Sequence, residues 1–258
     1  MLIKDQLLRD VIITSVPSRI ISLVPSQTEL LVELGLEDKL VGVTKFCVHP
    51  KNIRKKATVV GGTKQVNLEK IKALHPDFII CNKEENTKEM VFHLEKIAPV
   101  WISDISSISE SIEMIKLLGS ILKVEKKAAD LISEIDKEKK DFTNFMKNKP
   151  TRKVGYLIWK NPYMVAGQDT FINELLRLNK FENFLDDSKS RYPEIDLSEL
   201  KEKVSLLLLS SEPFPFKEKH LIEIQEETGV ETILVDGEYF SWYGSRLKKA
   251  FNYFRTLH

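Results

Sequence analysis

The sequence predicts an α/β protein of two lobes, each built on a small central sheet and joined by one long backbone helix. Three observations predict this fold. Short apolar runs alternate with helical patterns along both halves of the chain, which is typical of strand–helix–strand units. Between the halves, two helical patterns follow each other without a strand. The chain has 258 residues, which is enough for one large domain or two of ordinary size, and 42% of them are hydrophobic, which is enough for a packed core.

The first strand–helix corner is the most sharply marked local feature. Residues 20–24 form a β-branched and leucine-rich run, typical of a buried strand. Pro25 lacks the N–H that a strand ladder needs, so we expect the strand to end there. Ser26, followed three residues later by Glu29, has the pattern of a capping box at the start of a helix. Gly35 has the pattern of the residue that follows a helix end.

The remaining elements fall into an N-terminal lobe, 1–106, a helical region, 107–150, and a C-terminal lobe, 151–258. In the N-terminal lobe we predict strands at 40–43, 58–60, 78–80 and 100–102, and helices at 68–74 and 88–97. In the helical region we predict helices at 109–122 and 124–147, the second spanning roughly 35 Å. In the C-terminal lobe we predict strands at 154–159, 204–209 and 233–235, and helices at 170–178, capped by Asp169, 217–227 and 245–257.

Composition excludes several classes of protein. Charged residues make up 30% of the chain and the net charge is +1, so we expect no nucleic-acid partner. Cys47 and Cys81 give no disulfide framework. No stretch approaches the ~20 apolar residues of a membrane span. The first residues lack the apolar core of a signal peptide, so we expect a cytoplasmic protein as written, or one whose export signal has been removed.

The common catalytic and nucleotide-binding signatures are absent, so we expect no enzyme. Cys47 and His49 lie two residues apart in a predicted loop, and a thiolate with an imidazole could ligate zinc or another transition metal. Two ligands do not make a site. The alternative is a packed cysteine and a loop histidine that precedes a proline.

Aromatic residues cluster in predicted loops, many of which follow strands. Flat aromatic faces suit a large, partly apolar ligand, although we expect at least half of these rings to be ordinary packing. They are Phe46, Trp159, Tyr163, Tyr192, Phe214, Phe216, Tyr239, Phe240, Trp242 and Tyr243.

A weak internal repeat relates residues 66–82 to residues 195–211. Each segment reads as an acid near the start of a short helix, followed by a buried strand. The repeat places Glu69 and Glu199 at the start of equivalent helices in the two lobes. The simpler reading is that an acid in a first turn favours the helix dipole, by a few tenths of a kcal/mol to ~1.

Four segments carry a resemblance to a known family: "RIISLVPSQTELLVELGLEDKLVGVT", "VNLEKIKALHPDFII", "WKNPYMVAGQDTFINELL" and "YFSWYGSRLKKA". In order and spacing they resemble the substrate-binding proteins of ABC importers, in the class whose lobes are joined by one rigid helix. That class takes cobalamin, ferric siderophores and haem. The resemblance covers nearly the whole chain from about Pro17 and is closest to cobalamin-binding members.

The resemblance implies a ligand cleft between the lobes, with the first strand–helix corner on its rim and no reaction carried out. It implies no cofactor of the protein's own, a ligand that is a cobalt corrinoid or an iron chelate, a monomer, and a periplasmic location with an ABC permease as partner if the protein is exported. The implied ligand-binding residues are Phe46, Thr63, Lys64, Tyr163, Met164, Tyr192, Ser241 and Trp242.

Tyr192 and Trp242 are expected to face each other across the cleft. Thr63 stands where cobalamin binders often have a tryptophan, and Trp242 where an arginine can occur. For docking to the permease the resemblance implies Glu69 and Glu199, with Glu212 as a rival for the second position.

Two other classes remain open beside the receptor. A cytosolic protein that handles corrinoids or tetrapyrroles would account for the absent signal peptide, but no cluster of acid, base and nucleophile supports an enzyme. A structural or interaction module would leave the loop aromatics unexplained.

Overall fold

The elements lie close to those that the sequence predicts. The structure is a computed structural model that describes residues 1–185 and 190–258. Its strands are β1 (Leu2–Lys4), β2 (Asp10–Ile12), β3 (Ile20–Ser22), β4 (Leu40–Thr44), β5 (Thr58–Gly61), β6 (Phe78–Asn82), β7 (Val100–Ser103), β8 (Arg152–Trp159), β9 (Met164–Val165), β10 (Phe181–Asn183), β11 (Leu206–Ser210) and β12 (Thr232–Val235). Its helices are α1 (Pro25–Glu33), α2 (Ile53–Lys56), α3 (Leu68–Ala73), α4 (Lys88–Leu94), α5 (Ile108–Ile121), α6 (Glu125–Met146), α7 (Phe171–Leu178), α8 (Glu218–Thr228), α9 (Gly237–Ser241) and α10 (Leu247–Phe254).

The chain divides into two units, neither of which is one continuous stretch of sequence. The N-terminal unit comprises Met1–Ile105, Ser109–Ile135 and Tyr243–Arg246. The C-terminal unit comprises Ser106–Ile108, Asp136–Trp242 and Leu247–His258. Helix α6 therefore begins in the first unit and ends in the second, and the predicted α/β class with a long connecting helix is confirmed.

The N-terminal unit is built on a five-stranded parallel sheet in the order β5-β4-β3-β6-β7. Its central strand β3 is completely buried, as expected for a parallel sheet covered on both faces. Apolar side chains such as Ile21, Ile79 and Leu94 form one core cluster beside the sheet. The sequence patterns missed the hairpin of β1 and β2, whose two strands are only three residues long.

The C-terminal unit has a parallel sheet in the order β10-β8-β11-β12, and β9 pairs antiparallel with β8. Strand β11 is buried along its whole length, in agreement with its uninterrupted leucine run. Leu157, Leu207 and Leu209 contribute to the core cluster of this unit. The two-residue strand β9 and the three-residue strand β10 were not predicted, because so few residues carry no readable alternation.

The start of α1 differs from the prediction. The helix begins at Pro25, and Val24 is the N-cap without a side-chain hydrogen bond, so the capping box of Ser26 and Glu29 is wrong. Proline suits the first helical position because its missing N–H would have no helical partner there. Gly35 has a φ of 75°, which confirms its place just beyond the helix end.

The N-cap of α7 is also one residue from its predicted position. The Thr170 hydroxyl accepts the Asn173 N–H at 3.1 Å, so Thr170 and not Asp169 caps the helix. The Asp169 carboxylate instead pairs with Arg191 at 3.2 Å. Among the described residues, no helix has both the length and the apolar character that crossing a membrane requires.

Candidate ligand-binding edges of the two sheets

In each unit, the loops that follow the parallel strands meet at one edge of the sheet. Ligands of open α/β sheets bind outside the carboxyl ends of the strands. We call the loops 45–49, 62–65 and 83–87 the first carboxyl edge, since they follow β4, β5 and β6. We call the loops 160–163 and 211–217, together with the segment 236–242 that contains α9, the second carboxyl edge, since they follow β8, β11 and β12.

The first carboxyl edge carries an exposed aromatic ring. Phe46 is 49% exposed, and the Lys45 ammonium lies 5.0 Å from its ring centroid. A Cβ at Gly62 would lie 3.3 Å from Cε2 of Phe46, so the loop after β5 passes directly beside this ring. The next residues of that loop are the predicted ligand residues Thr63 and Lys64. The structure therefore brings these three predicted residues to one edge.

Asn86 holds this edge together, and the sequence patterns gave no sign of it. Its side chain is buried, and its Nδ2 donates to the Thr63 carbonyl at 2.8 Å and to the Leu23 carbonyl at 3.4 Å. Its Oδ1 accepts the Asn82 N–H at 2.8 Å. One amide thus links the ends of β3 and β6 to the loop after β5. Such a role depends on long-range contacts, so local spacing does not reveal it.

The loop after β6 makes a second contact with the loop after β5. The Lys64 ammonium donates a hydrogen bond to the carbonyl oxygen of Glu84. Lys64 is exposed, so its charge remains at the surface of the first carboxyl edge.

Cys47 belongs to the core of the N-terminal unit. Its sulfur lies 3.2 Å from the Thr28 hydroxyl and 3.3 Å from the Thr44 hydroxyl, and the residue is completely buried. Burial raises the pKa of the Cys47 thiol, which disfavours the thiolate that a metal would need. Within residues 1–185 and 190–258, no group of three or more His, Cys, Asp and Glu side chains is placed to hold a metal ion. The packed alternative for Cys47 and His49 is the one that these contacts favour.

The second carboxyl edge also presents an exposed aromatic ring. Trp159 ends β8, is 39% exposed and packs edge-on against Phe214, with ring centroids 5.9 Å apart. Met164 lies opposite Trp159 in the antiparallel pair of β8 and β9. Tyr163 precedes it, half-buried, with the Lys160 ammonium 5.8 Å from its ring centroid.

Tyr192 lies on a segment that runs beside this hairpin. The Ile195 N–H donates to the Tyr163 carbonyl at 3.0 Å, and the Val165 N–H donates to the Pro193 carbonyl at 3.1 Å. Tyr192 and Trp242 both belong to the C-terminal unit, so the expectation that they face each other across a cleft between the lobes is wrong. Both residues also lie within the predicted C-terminal lobe, 151–258, so that expectation did not agree with the predicted lobe boundaries.

Glu212, Ser241 and Trp242 form a hydrogen-bonded group at the second carboxyl edge. Oε1 of Glu212 accepts the Ser241 hydroxyl at 2.5 Å and the Trp242 indole N–H at 2.8 Å. Trp242 is buried, so little of its ring is open to a ligand. Burial is the main cause that raises the pKa of Glu212, and the charges of Glu238 and Asp236 raise it further. These hydrogen bonds hold the carboxylate of Glu212 in place, and its role as the rival docking acid stays a prediction.

Several of the other predicted aromatics are core residues, as expected for at least half of them. Phe216 and Tyr243 are buried, and Phe240 is completely buried with its ring centroid 5.1 Å from that of Tyr156. Burial raises the pKa of Tyr156 well above its usual range.

The two candidate docking acids lie at the surface. Glu69 is in the first turn of α3, with 81% of its side chain exposed and an ion pair to Lys72 at 2.8 Å. Glu199 ends the 3₁₀ turn Leu197–Glu199, with 51% of its side chain exposed and an ion pair to Lys203 at 3.3 Å.

The predicted equivalence of the two segments holds only in part, because Glu69 lies in an α-helix and Glu199 in a 3₁₀ turn. Asn67 caps α3 and Asp196 caps the 3₁₀ turn, each through its side-chain oxygen. Glu69 is therefore the second residue after its cap, and Glu199 the third. The two acids lie at similar places in the two units, but not at identical helix positions.

Comparison with known proteins settles the family. The family model described as periplasmic binding protein matches residues 20–227, most of the chain. The chain belongs to the periplasmic binding protein family. It is a binding protein and not an enzyme, as expected.

Two relatives and one solved structure illustrate the match. An uncharacterized ABC transporter substrate-binding lipoprotein, YvrC of Bacillus subtilis, is 32% identical over 189 residues, which cover 70% of this chain but only 60% of that protein. A vitamin B12-binding protein of Pectobacterium carotovorum is 24% identical over 242 residues, covering 92% of this chain and 86% of that protein. A periplasmic heme binding protein of Pseudomonas aeruginosa, at 21% identity, shares the fold with a TM-score of 0.79 over 93% of this chain and 92% of its own.

Proposed function

We propose that this chain binds a bulky metal chelate outside the cytoplasmic membrane, a corrinoid such as cobalamin first, and delivers it to an ABC importer. The observation that carries the proposal is the family match over residues 20–227. The vitamin B12-binding relative, which aligns with 92% of the chain, favours a corrinoid. A ferric siderophore or haem is the alternative, and the fold shared with a heme binding protein is compatible with it.

The exposed aromatics supply the contact surface that such a ligand needs. Phe46 and Trp159 lie at the carboxyl edges of their sheets, where a large apolar face of a chelate can cover them. Covering roughly 50 Å² of apolar surface on one ring contributes on the order of 1 kcal/mol. Neither ring contributes a metal ligand, which fits a chelate that arrives with its metal already coordinated.

A visible-absorbance titration tests the ligand class directly, because corrinoids and haem are coloured. Purified protein is titrated with cyanocobalamin, haemin and a ferric hydroxamate siderophore, and each affinity is confirmed by calorimetry. We expect saturable binding of cyanocobalamin at one site per chain. Tighter binding of haemin or the siderophore would instead favour the alternative, in which the ligand is haem or a ferric siderophore. If none of the three binds, the proposal fails.

Delivery to a permease is a separate step, for which we propose Glu69 and Glu199 as the docking acids. Each is exposed on its own unit, and charges at the rim of an interface fix orientation and speed association more than they add affinity. The ion pairs with Lys72 and Lys203 are solvent-exposed and weak, so an arginine of a permease can replace either lysine.

Transport assays with the cognate permease in vesicles test this step. We expect the double variant Glu69→Ala/Glu199→Ala to slow uptake at least tenfold while its ligand affinity is unchanged. Glu218→Ala, which removes an exposed acid from the first turn of α8, is the matched control. Full uptake by the double variant would refute the docking role. Uptake unaffected by deletion of the whole protein would instead favour a cytosolic protein that handles corrinoids.

A further inference from the structure

We propose that Glu212 is a specificity-determining residue of the second carboxyl edge, whose fixed carboxylate accepts a hydrogen bond from the ligand and selects neutral carboxamide groups against carboxylates. The inference rests on the proposed function and deepens it, because it names the peripheral chemistry of the chelate. Such a residue favours a corrinoid that carries peripheral carboxamides over a haem or a siderophore that presents carboxylates.

The two oxygens of Glu212 have different surroundings. Oε1 accepts two hydrogen bonds, from the Ser241 hydroxyl at 2.5 Å and from the Trp242 indole at 2.8 Å. Among the described residues no donor reaches Oε2, and Oε2 is not one of the fully enclosed polar atoms that lack a partner. The half-buried side chain therefore presents one oxygen to the solvent while the other is held.

The main chain at Glu212 is held as firmly as its side chain. The Ser210 hydroxyl donates to the Glu212 carbonyl at 2.6 Å, and the Ser211 hydroxyl accepts the Gly237 N–H at 2.9 Å. A Cβ at position 237 would lie 2.7 Å from Cγ of Glu212, so glycine is needed there for the side chain to take this position. The carboxylate is thus pre-oriented, which reduces the ordering cost of binding.

The chemistry of a fixed carboxylate determines what it can select. An ionised carboxylate only accepts hydrogen bonds, so it pairs with an amide N–H or a hydroxyl. A ligand carboxylate at the same place would bring two like charges together, which a partly buried site disfavours. Asp236 and Glu238 add to the negative potential, since their charges contribute to raising the pKa of Glu212.

The experiment compares two corrinoids that share the ring and the metal. Dicyanocobinamide carries carboxamides at its periphery, and dicyanocobyrinic acid carries carboxylates at the equivalent positions. Both are titrated by absorbance at pH 7.5 against the wild-type chain, Glu212→Gln and Ser241→Ala. Glu218→Gln, an exposed acid of the same unit, is the matched control for the loss of one charge.

We expect the wild-type chain to prefer the amide form and Glu212→Gln to reduce that preference by about tenfold or more, because a hydrogen bond to a charged group is lost and a repulsion is relieved. Ser241→Ala keeps the charge, so it should weaken binding of the amide form yet still reject the carboxylate form. Glu218→Gln should change neither. The urea midpoint of each variant shows whether it remains folded.

The possible failures are distinguishable. If both corrinoids bind but Glu212→Gln weakens them equally, Glu212 is merely structural and the inference is overturned while the proposed function stands. If the wild-type chain binds haemin more tightly than dicyanocobinamide, selection against carboxylates is refuted. If it binds neither corrinoid, haemin nor a ferric siderophore, both the proposed function and the inference fail.

Discussion

The ion pair of Arg246 and Glu29 gives the sharpest stability prediction. Arg246 Nε lies 2.9 Å from Glu29 Oε2, and the side chains are only 7% and 16% exposed. Both belong to the N-terminal unit, where the pair connects the segment Tyr243–Arg246 to α1. The perturbation is Glu29→Leu, which leaves the guanidinium buried without its carboxylate.

The expected loss of unfolding free energy follows from the burial of the ion pair. Removing one partner of a buried ion pair costs about 3–5 kcal/mol, because the remaining charge loses the opposite charge that offset its burial. Replacing both partners by apolar residues of similar size is often close to neutral. We therefore expect Glu29→Leu to destabilise the unit by about 3–5 kcal/mol, and Glu29→Leu/Arg246→Met to recover most of that loss.

Urea unfolding followed by Trp101 fluorescence measures this unit alone. Trp101 is completely buried in β7 of the N-terminal unit, and replacing Trp159 and Trp242 by Phe removes the signal of the other unit. Lys4→Ala, which removes an exposed ion pair with Asp10, should cost at most ~1 kcal/mol and serves as the control. A loss below about 1.5 kcal/mol for Glu29→Leu, or no recovery in the double variant, would refute the reasoning.

Three further predictions concern the site and its protonation. Phe46→Ala should weaken ligand binding by up to about tenfold in an absorbance titration, whereas Phe92→Ala, which removes the 59% exposed ring of α4, should leave the affinity unchanged. The pKa of Glu212 is raised above 4.5, so near this pKa the native state binds more protons than the unfolded state. The urea midpoint of the wild-type chain should therefore fall, relative to that of Glu212→Gln, as the pH rises from 4.5 through the raised pKa of Glu212. Burial lowers the pKa of His220 below 6.5, and its Nδ1 accepts the Lys217 N–H at 3.1 Å, so melting temperatures should show a stabilisation relative to His220→Ala that is present above pH 6.5 and lost as the pH falls below it.

Long and strongly periodic elements could be predicted from the sequence, because their signals are local. Helix α6 was expected at 124–147 and spans Glu125–Met146, and the leucine run of β11 was expected to be a buried strand. The start of α1 was missed because Pro25 fits both a strand end and a first helical position, and only the backbone decides between them.

The candidate site was less predictable, because its geometry depends on contacts between distant residues. Phe46, Thr63 and Lys64 were predicted through the family resemblance, and the parallel pairing of β4 and β5 explains why these residues lie at one edge. The contacts of Asn86 and Glu212 were not predicted, since they involve partners such as Leu23 and Trp242 that lie far away in the sequence. A single sequence carries no local mark of such partnerships.

The discontinuity of the N-terminal unit has a consequence for synthesis on the ribosome. Its sheet is complete once residue 103 has been made, but Tyr243–Arg246 follows about 140 residues later. At a synthesis rate of roughly 5–20 residues per second, this segment is made on the order of ten seconds or more later, and until then Glu29 of α1 lacks Arg246 as its ion-pair partner. During synthesis the N-terminal unit therefore exists without Tyr243–Arg246, and a fragment that ends after α6 would lack this segment permanently.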